Sequence, residues 1–256
     1  MNVAVAGCLG KVGRSLLLYL MQHPHYHLVA GTVSDESHAK GQDLGIAVDQ
    51  QAIGIKAQTL SELKSMKTSI DVFIDFSNPV GLRSHAQFCH EHHIPFVTGV
   101  SNPTEDDINT LKRYAQDIPV LWATNFSVGI YLMHQCAALI ARTLGQSADV
   151  GIHELHHKHK KDAPSGTSKG LRQTLLNAGI DSVECVSQRL GEAICSHKID
   201  FILPYEQLSL SHVSQGREVY AEGALKSAEW LIKQNPGFYS FADSVTSAKA
   251  VGFNPV

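Results

Sequence analysis

The chain has 256 residues, of which 43% are hydrophobic and 18% charged, and its formal net charge is −3 with all 15 histidines neutral. That length suits one large domain or two modest ones, the charge offers no overall basic field for nucleic acid, and no apolar run is long enough to span a bilayer. The start, Met1 to Gly7, lacks the basic n-region of a signal peptide, and the five cysteines are scattered, without a C-x-x-C pair; a reducing cytoplasm is expected, with no disulfide and no thiolate metal site.

Residues 2–6 (NVAVA) form a short apolar run of the kind buried in a parallel sheet. Gly7, Gly10 and Gly13 follow, and Val12, Leu16, Leu17, Leu20 and Met21 recur at helical spacing up to His23-Pro24. Strand, glycine turn and helix is the setting of a dinucleotide fingerprint: glycine lets the backbone approach a pyrophosphate, and the helix start faces its charge. The spacing is G-x-x-G-x-x-G rather than G-x-G-x-x-G, so taken alone it reads equally as a plain tight turn. A second strand is expected over 27–33. Asp35 then lies close to the offset at which an acidic group meets the adenosine ribose and repels a 2′-phosphate. Lys11 and Arg14 point the other way, as cations for that phosphate, and all three also fit a solvated surface.

Residues 36–50 read as loop and 60–66 as a short helical piece. A buried strand over 71–76 is punctuated by Ser77-Asn78-Pro79, and a helix runs on to about His93. A strand over 95–100 precedes a helix opened by Pro103, with Glu105, Asp106 and Asp107 in its first turn. Residues 120–124 read as the last strand of this half. An apolar helix from Ile130 to about Leu144, a strand over 148–155 and a helix from about Ser165 to Asn177 come next. Three strand-like runs follow with no helix between them, at 183–189, 196–203 and 207–213. This switch from βα alternation to consecutive strands predicts a second, α+β domain. A helix over 223–233 is broken by Pro236-Gly237.

The densest chemistry lies at Glu154 to Thr167, ELHHKHKKDAPSGT. Histidines and lysines alternate there, and a Pro-Ser-Gly-Thr turn opens a helix whose N–H groups suit an anion. The stretch resembles the signature E-x-H-H-x-x-K-x-D-A-P-S-G-T of the 4-hydroxy-tetrahydrodipicolinate (dihydrodipicolinate) reductases, with every fixed position met. Asp75 to Pro79 (DFSNP), Asn125 to Gly129 (NFSVG), Arg189, Gly191 and His197 extend the resemblance along nearly the whole chain. It departs at 100–102, where TGVSN (98–102) stands for the family's usual T-G-T-T-G, and at Cys195, where a glycine is common.

The resemblance implies an α/β fold. A Rossmann-type dinucleotide-binding domain would cover 1–127 and 220–256, and an α+β substrate-binding and oligomerisation domain with a mixed sheet 128–219. A hinge near Ser127 would allow closure over both ligands. The implied activity is NADPH- or NADH-dependent reduction of 4-hydroxy-tetrahydrodipicolinate to tetrahydrodipicolinate, in lysine and diaminopimelate biosynthesis, by a cytoplasmic homotetramer. His156 and Lys160 would move the proton. His157, Lys160, Gly166 and Thr167 would hold the dicarboxylate. Gly7, Cys8, Leu9, Gly10, Lys11, Val12, Asp35, Gly99, Val100, Ser101, Ala123, Thr124, Asn125 and Phe126 would form the cofactor site. Lys158, His159 and Lys161 are given no part, and neither nucleic acid nor membrane is expected as a partner.

Three other readings stand beside this one. His153-Glu154-Leu155-His156-His157 literally satisfies H-E-x-x-H, a zinc protease motif that works only on a helix; the flanking pattern here is extended. A non-catalytic NAD(P)-binding redox reporter would share the glycine turn but need no His156 and Lys160. A nicotinamide-dependent dehydrogenase of another amino or keto acid would differ only in substrate.

Overall fold

A computed structural model describes residues 1–65 and 68–248. The chain divides into two compact units, Met1–Phe126 with Glu218–Val256, and Ser127–Arg217.

The first unit is built on a parallel sheet. β1 (Asn2–Ala6), β2 (His27–Thr32), β3 (Ala57–Gln58), β4 (Val72–Asp75), β5 (Phe96–Thr98), β6 (Pro119–Trp122) and β11 (Gly237–Tyr239) stand in the order β11-β6-β5-β4-β1-β2-β3. All pairings are parallel. Val3, Ala4, Val5 and Ala6 are fully buried, as are Val72, Phe73 and Ile74, because helices cover both faces. This is a Rossmann-type arrangement, with the order of strands reversing between β1 and β4.

Its helices follow the local signals. α1 (Lys11–Gln22) buries Leu16, Leu17 and Leu20 and stops at His23, before Pro24. α3 (Leu60–Lys64) is closed by a reciprocal Thr59–Glu62 capping box; Met66, the end of the expected piece, lies outside the described residues. α4 (Pro79–Glu91) has Asn78 as its cap and Pro79 in its first turn. α5 (Glu105–Tyr114) begins later than expected: its cap is Thr104, whose hydroxyl accepts from Asp107 N–H while the Asp107 carboxylate accepts from Thr104 N–H. Pro103 thus precedes the cap. The loop expected over 36–50 holds α2 (Leu44–Ala47), a single turn. Asp43 builds it by accepting from the N–H groups of Gly45 and Ile46, and also of Ile53 and Gly54.

The second unit carries α6 (Val128–Leu144), β7 (Asp149–His156), α7 (Gly166–Asn177), β8 (Glu184–Arg189), β9 (Cys195–Ile202) and β10 (Gln207–Ser214). Its sheet has the order β10-β9-β7-β8; β7 runs parallel to β8 and antiparallel to β9. Ile130, Met133, Ala137 and Ala141 of α6 recur at three- and four-residue spacing and join Leu171 and Leu175 of α7 against Ile152, Ile199 and Phe201. Cutting Leu171 to alanine there costs about 2–5 kcal/mol. Register puts Val150, Ile152, Glu154 and His156 on this covered face, opposite Phe201, Ile199, His197 and Cys195.

α8 (Glu218–Leu231) returns to the first unit, packing on α1 and the parallel sheet. Gly223 is required there, because a Cβ would lie 1.9 Å from the carbonyl oxygen of Phe126. α9 (Phe241–Ala248) packs on α8, and residues 249–256 lie outside the described residues. No helix among the described residues is long and apolar enough to cross a membrane.

Candidate functional site

In the first unit, a groove of about 920 Å³ opens where β1, β2 and β4 end, at the point where the strand order reverses and ligands of such sheets sit. Gly7 takes φ +63°, and a Cβ on it would stand 2.6 Å from the carbonyl oxygen of Phe76. A Cβ on Gly13 would stand 2.1 Å from the carbonyl oxygen of Gly7, so the turn is tight against α1. Gly10 lines the groove and is the cap of α1, with no side chain to cap the first N–H groups of the helix. The volume lies within the range of small-molecule sites. A glycine-lined, uncapped helix start fits the pyrophosphate of a dinucleotide.

Of the cofactor residues expected from sequence, Gly7, Leu9, Gly10 and Asp35 line this groove. Cys8 is fully buried, and burial pushes its thiol up to about 12. Lys11 is exposed and Val12 half-buried. Arg14 pairs with Asp49 at 3.3 Å, so it already has a carboxylate partner. Asp35 is exposed at the end of β2. Gly99 donates to the Asp75 carbonyl at 2.8 Å; a Cβ there would strike the Phe76 ring at 2.3 Å. Val100 is buried with its carbonyl accepting from Trp122 Nε1, and Ser101 is exposed. Ala123 is buried, Thr124 exposed and Asn125 half-buried. Phe126 packs edge-on against Phe76 and Phe241.

The opposite wall includes Phe76, Ser77 and Asn78, from the DFSNP segment that carries part of the family resemblance; sequence reading left out Gly81 and His85 beside them, and Ser34, Ser61 and Lys64. Behind that wall Asp75 is fully buried; it accepts from Ser77 N–H at 2.8 Å and faces His85 Nδ1 at 3.3 Å. The punctuation at 77–79 was the available signal for this wall.

In the second unit, the H-H-x-x-K run leaves the end of β7. His156 is buried on the covered face, while His157 follows the strand and is half-buried. The Lys160 Nζ donates to Asp162 Oδ1 at 2.8 Å. Burial alone would raise the Asp162 carboxyl, but Lys160 holds it below its ordinary value. Lys158 and His159 stand near Glu192, at 3.8 and 3.9 Å.

The turn at 163–167 is tied to the strand from within. Ser165 caps α7 by accepting from Ser168 N–H at 3.2 Å. Its own N–H donates to both Glu154 oxygens at 3.1 Å. Gly166 and Thr167 supply the remaining two N–H groups of that helix end. Glu154, 3% exposed, also accepts from the Ser168 hydroxyl and from Arg189 Nη2 at 2.7 Å. Burial would raise its carboxyl; the bonds from Ser165, Ser168 and Arg189 outweigh that and hold it far below the usual carboxylate range. His156 Nδ1 lies 3.9 Å and His197 Nε2 3.8 Å from Glu154 Oε2. The two rings meet edge to face, centroids 5.2 Å apart. Burial lowers His156, and with help from His156 it lowers His197 to about 4.

Glu154, His156 and His197 bring one ligand-type atom each within 4.8 Å of one another. The carboxylate is already engaged by three donors, one of them a guanidinium, which opposes a cation. The zinc protease string fares no better: it runs along β7, an extended strand on which His153 sits on the face opposite Glu154 and His156, and His157 follows the strand's end, so no helix brings its histidines to one face.

Comparison with known proteins agrees over most of the chain. The profile described as "Dihydrodipicolinate reductase, N-terminus" matches residues 1–126, and that described as "Dihydrodipicolinate reductase, C-terminus" matches residues 129–245. The 4-hydroxy-tetrahydrodipicolinate reductase of Psychrobacter arcticus is 31% identical over 94% of this chain and 94% of its own. The enzyme of that name from Buchnera aphidicola is 29% identical over 94% and 97%. A dipicolinate-bound dihydrodipicolinate reductase from Paenisporosarcina sp. TG-14 shares the fold, with a TM-score of 0.78 at 22% identity over 94% and 97%. Both halves of the chain are thus matched in one order by one family's two profiles, and the chain belongs to the dihydrodipicolinate reductase family.

Proposed function

We propose that the chain reduces 4-hydroxy-tetrahydrodipicolinate, with NADPH or NADH, to tetrahydrodipicolinate, NAD(P)⁺ and water. The observation that carries the reading is the buried His156 imidazole beside an anion-attracting helix start and a lysine. A redox reporter has no use for that cluster.

The glycine turn of the first unit would hold the dinucleotide through backbone N–H groups, with Asp35 at the adenosine ribose. The reduced nicotinamide, when bound, supplies a hydride. In the second unit, Gly166, Thr167 and Lys160 hold a substrate carboxylate, and His157 adds a polar contact. Hydride arriving on the conjugated imine left by loss of water must be matched by a proton on the neighbouring carbon. His156 and Lys160 deliver it: an imidazole titrates near neutrality, and the lysine stabilises developing negative charge. Asp162 keeps Lys160 in place.

The division of labour between a cofactor domain and a substrate domain belongs to this proposal, as do a cytoplasmic location and a homotetramer. Exposed Val186, Ile202 and Val213 on the uncovered face of the mixed sheet support self-association; light scattering of the purified protein tests it. The activity is tested by supplying the product of the preceding synthase and following loss of the reduced nicotinamide's absorbance. Consumption that depends on that substrate is expected. Consumption only with a different amino or keto acid would favour the related dehydrogenase reading.

A further inference from the structure

Glu154 sits two residues before His156 on the same face of β7, with its carboxylate 3% exposed to solvent. Keeping an ionised carboxylate out of water costs several kcal/mol before partners offset it. The negative charge is paired with the Arg189 guanidinium at 2.7 Å and also faces two imidazoles, His197 Nε2 at 3.8 Å and His156 Nδ1 at 3.9 Å; His156 Nδ1 is buried and without a hydrogen-bond partner among the described residues.

We propose that Glu154 is a positioning residue: its carboxylate locks the Ser165 helix start to the strand carrying His156, and it is the fixed counter-charge of the protonated His156 ring during turnover. The inference rests on His156 being the acid–base group of the proposed reaction. Every element around that ring contributes charge or a titratable group. Glu154 comes from its own strand, His197 from β9, Arg189 from β8, and Lys160 and Asp162 from the loop that follows. Glu154 and Asp162 favour the imidazolium; burial, Lys160 and Arg189 oppose it. The two groups joined in the Arg189–Glu154 ion pair thus act on His156 with opposite sign.

That opposition supplies the test. The His156 ring is titrated by NMR in full-length, histidine-labelled protein, as wild type, Glu154→Gln and Arg189→Gln. Removing the carboxylate is expected to lower the titration midpoint by about one pH unit or more, and the basic limb of kcat against pH moves down with it. Removing the guanidinium is expected to raise the midpoint. A merely structural tie would shift neither, or both in the same direction, and either result overturns the proposal. Should Glu154→Gln not fold, Arg189→Gln decides alone: an unchanged or lowered midpoint overturns it. His156→Gln separates the two claims. Undiminished kcat there removes the acid–base reading itself, whereas a large loss combined with an unmoved midpoint in Glu154→Gln removes only the part given to Glu154.

Discussion

The two units make their sites from different materials. The groove of the first unit is organised on backbone: a glycine at φ +63°, a helix start without a side-chain cap and the ends of three strands, with side chains such as Asp35, Phe76 and His85 around it and an apolar core that includes Phe73, Phe96 and Leu111. The site of the second unit is side chain. Glu154, His156, Ser165, Ser168 and His197, all at most 7% exposed, form a polar hub beside the core of Ile152, Ile199 and Phe201. A backbone site tolerates change in the residues around it, and the altered 100–102 loop lies in that unit. A buried polar network is sensitive to each member, because every group removed leaves another without its partner.

The sharpest break between the two units is His156→Gln. It is expected to lower kcat by roughly 10²–10⁴ while leaving cofactor dissociation unchanged, as read by turnover and cofactor titration together. A second contrast is acid stability. His197 is depressed to about 4 from an ordinary 6.5, so the unfolded chain binds its proton first as pH falls. Its contribution is present above about pH 6.5 and is lost towards pH 4, worth up to about 3 kcal/mol. Glu154, also depressed, adds a loss below its unfolded value. The second unit should therefore open before the first between pH 6.5 and 4 in hydrogen exchange, and His197→Gln should flatten that pH dependence.

Smaller effects refine the boundary. Thr167→Val removes one hydrogen bond to a charged group, worth about 1.5–3 kcal/mol. It should weaken pyridine-2,6-dicarboxylate roughly ten- to a hundredfold and spare NADPH, with each titrated separately. In the first unit, NADH and NADPH should differ in kcat/KM by less than about 10³, roughly 4 kcal/mol. Asp35→Asn should shift that ratio towards NADPH by about tenfold, since Asp35 lines the groove and makes no ion pair among the described residues.

Much of the first unit was legible because its strands are short apolar runs closed by glycine or proline. What escaped was held by distant partners. α2 is one turn, too short for periodicity, and depends on Asp43 reaching Ile53 and Gly54. β11 has three residues and exists by pairing with β6, more than a hundred residues earlier. In the second unit the His-Lys run announced itself and Glu154 opened its signature, but the role of Glu154 was not legible, because its donors come from Ser165, Ser168 and Arg189, 11, 14 and 35 residues later. A signal was present: Val150 and Ile152 mark the buried face of β7, and a period of two carries that face to Glu154 and His156. The same alternation from Phe201 and Ile199 leads to His197.

The division between a backbone-built cofactor site and a side-chain-built chemical site is tested most directly at Lys160. In Lys160→Ala, kcat and the NADPH dissociation constant are measured on one preparation. The account predicts a kcat reduced by orders of magnitude with NADPH dissociation unchanged. An unchanged kcat, or a loss confined to NADPH affinity, would contradict it.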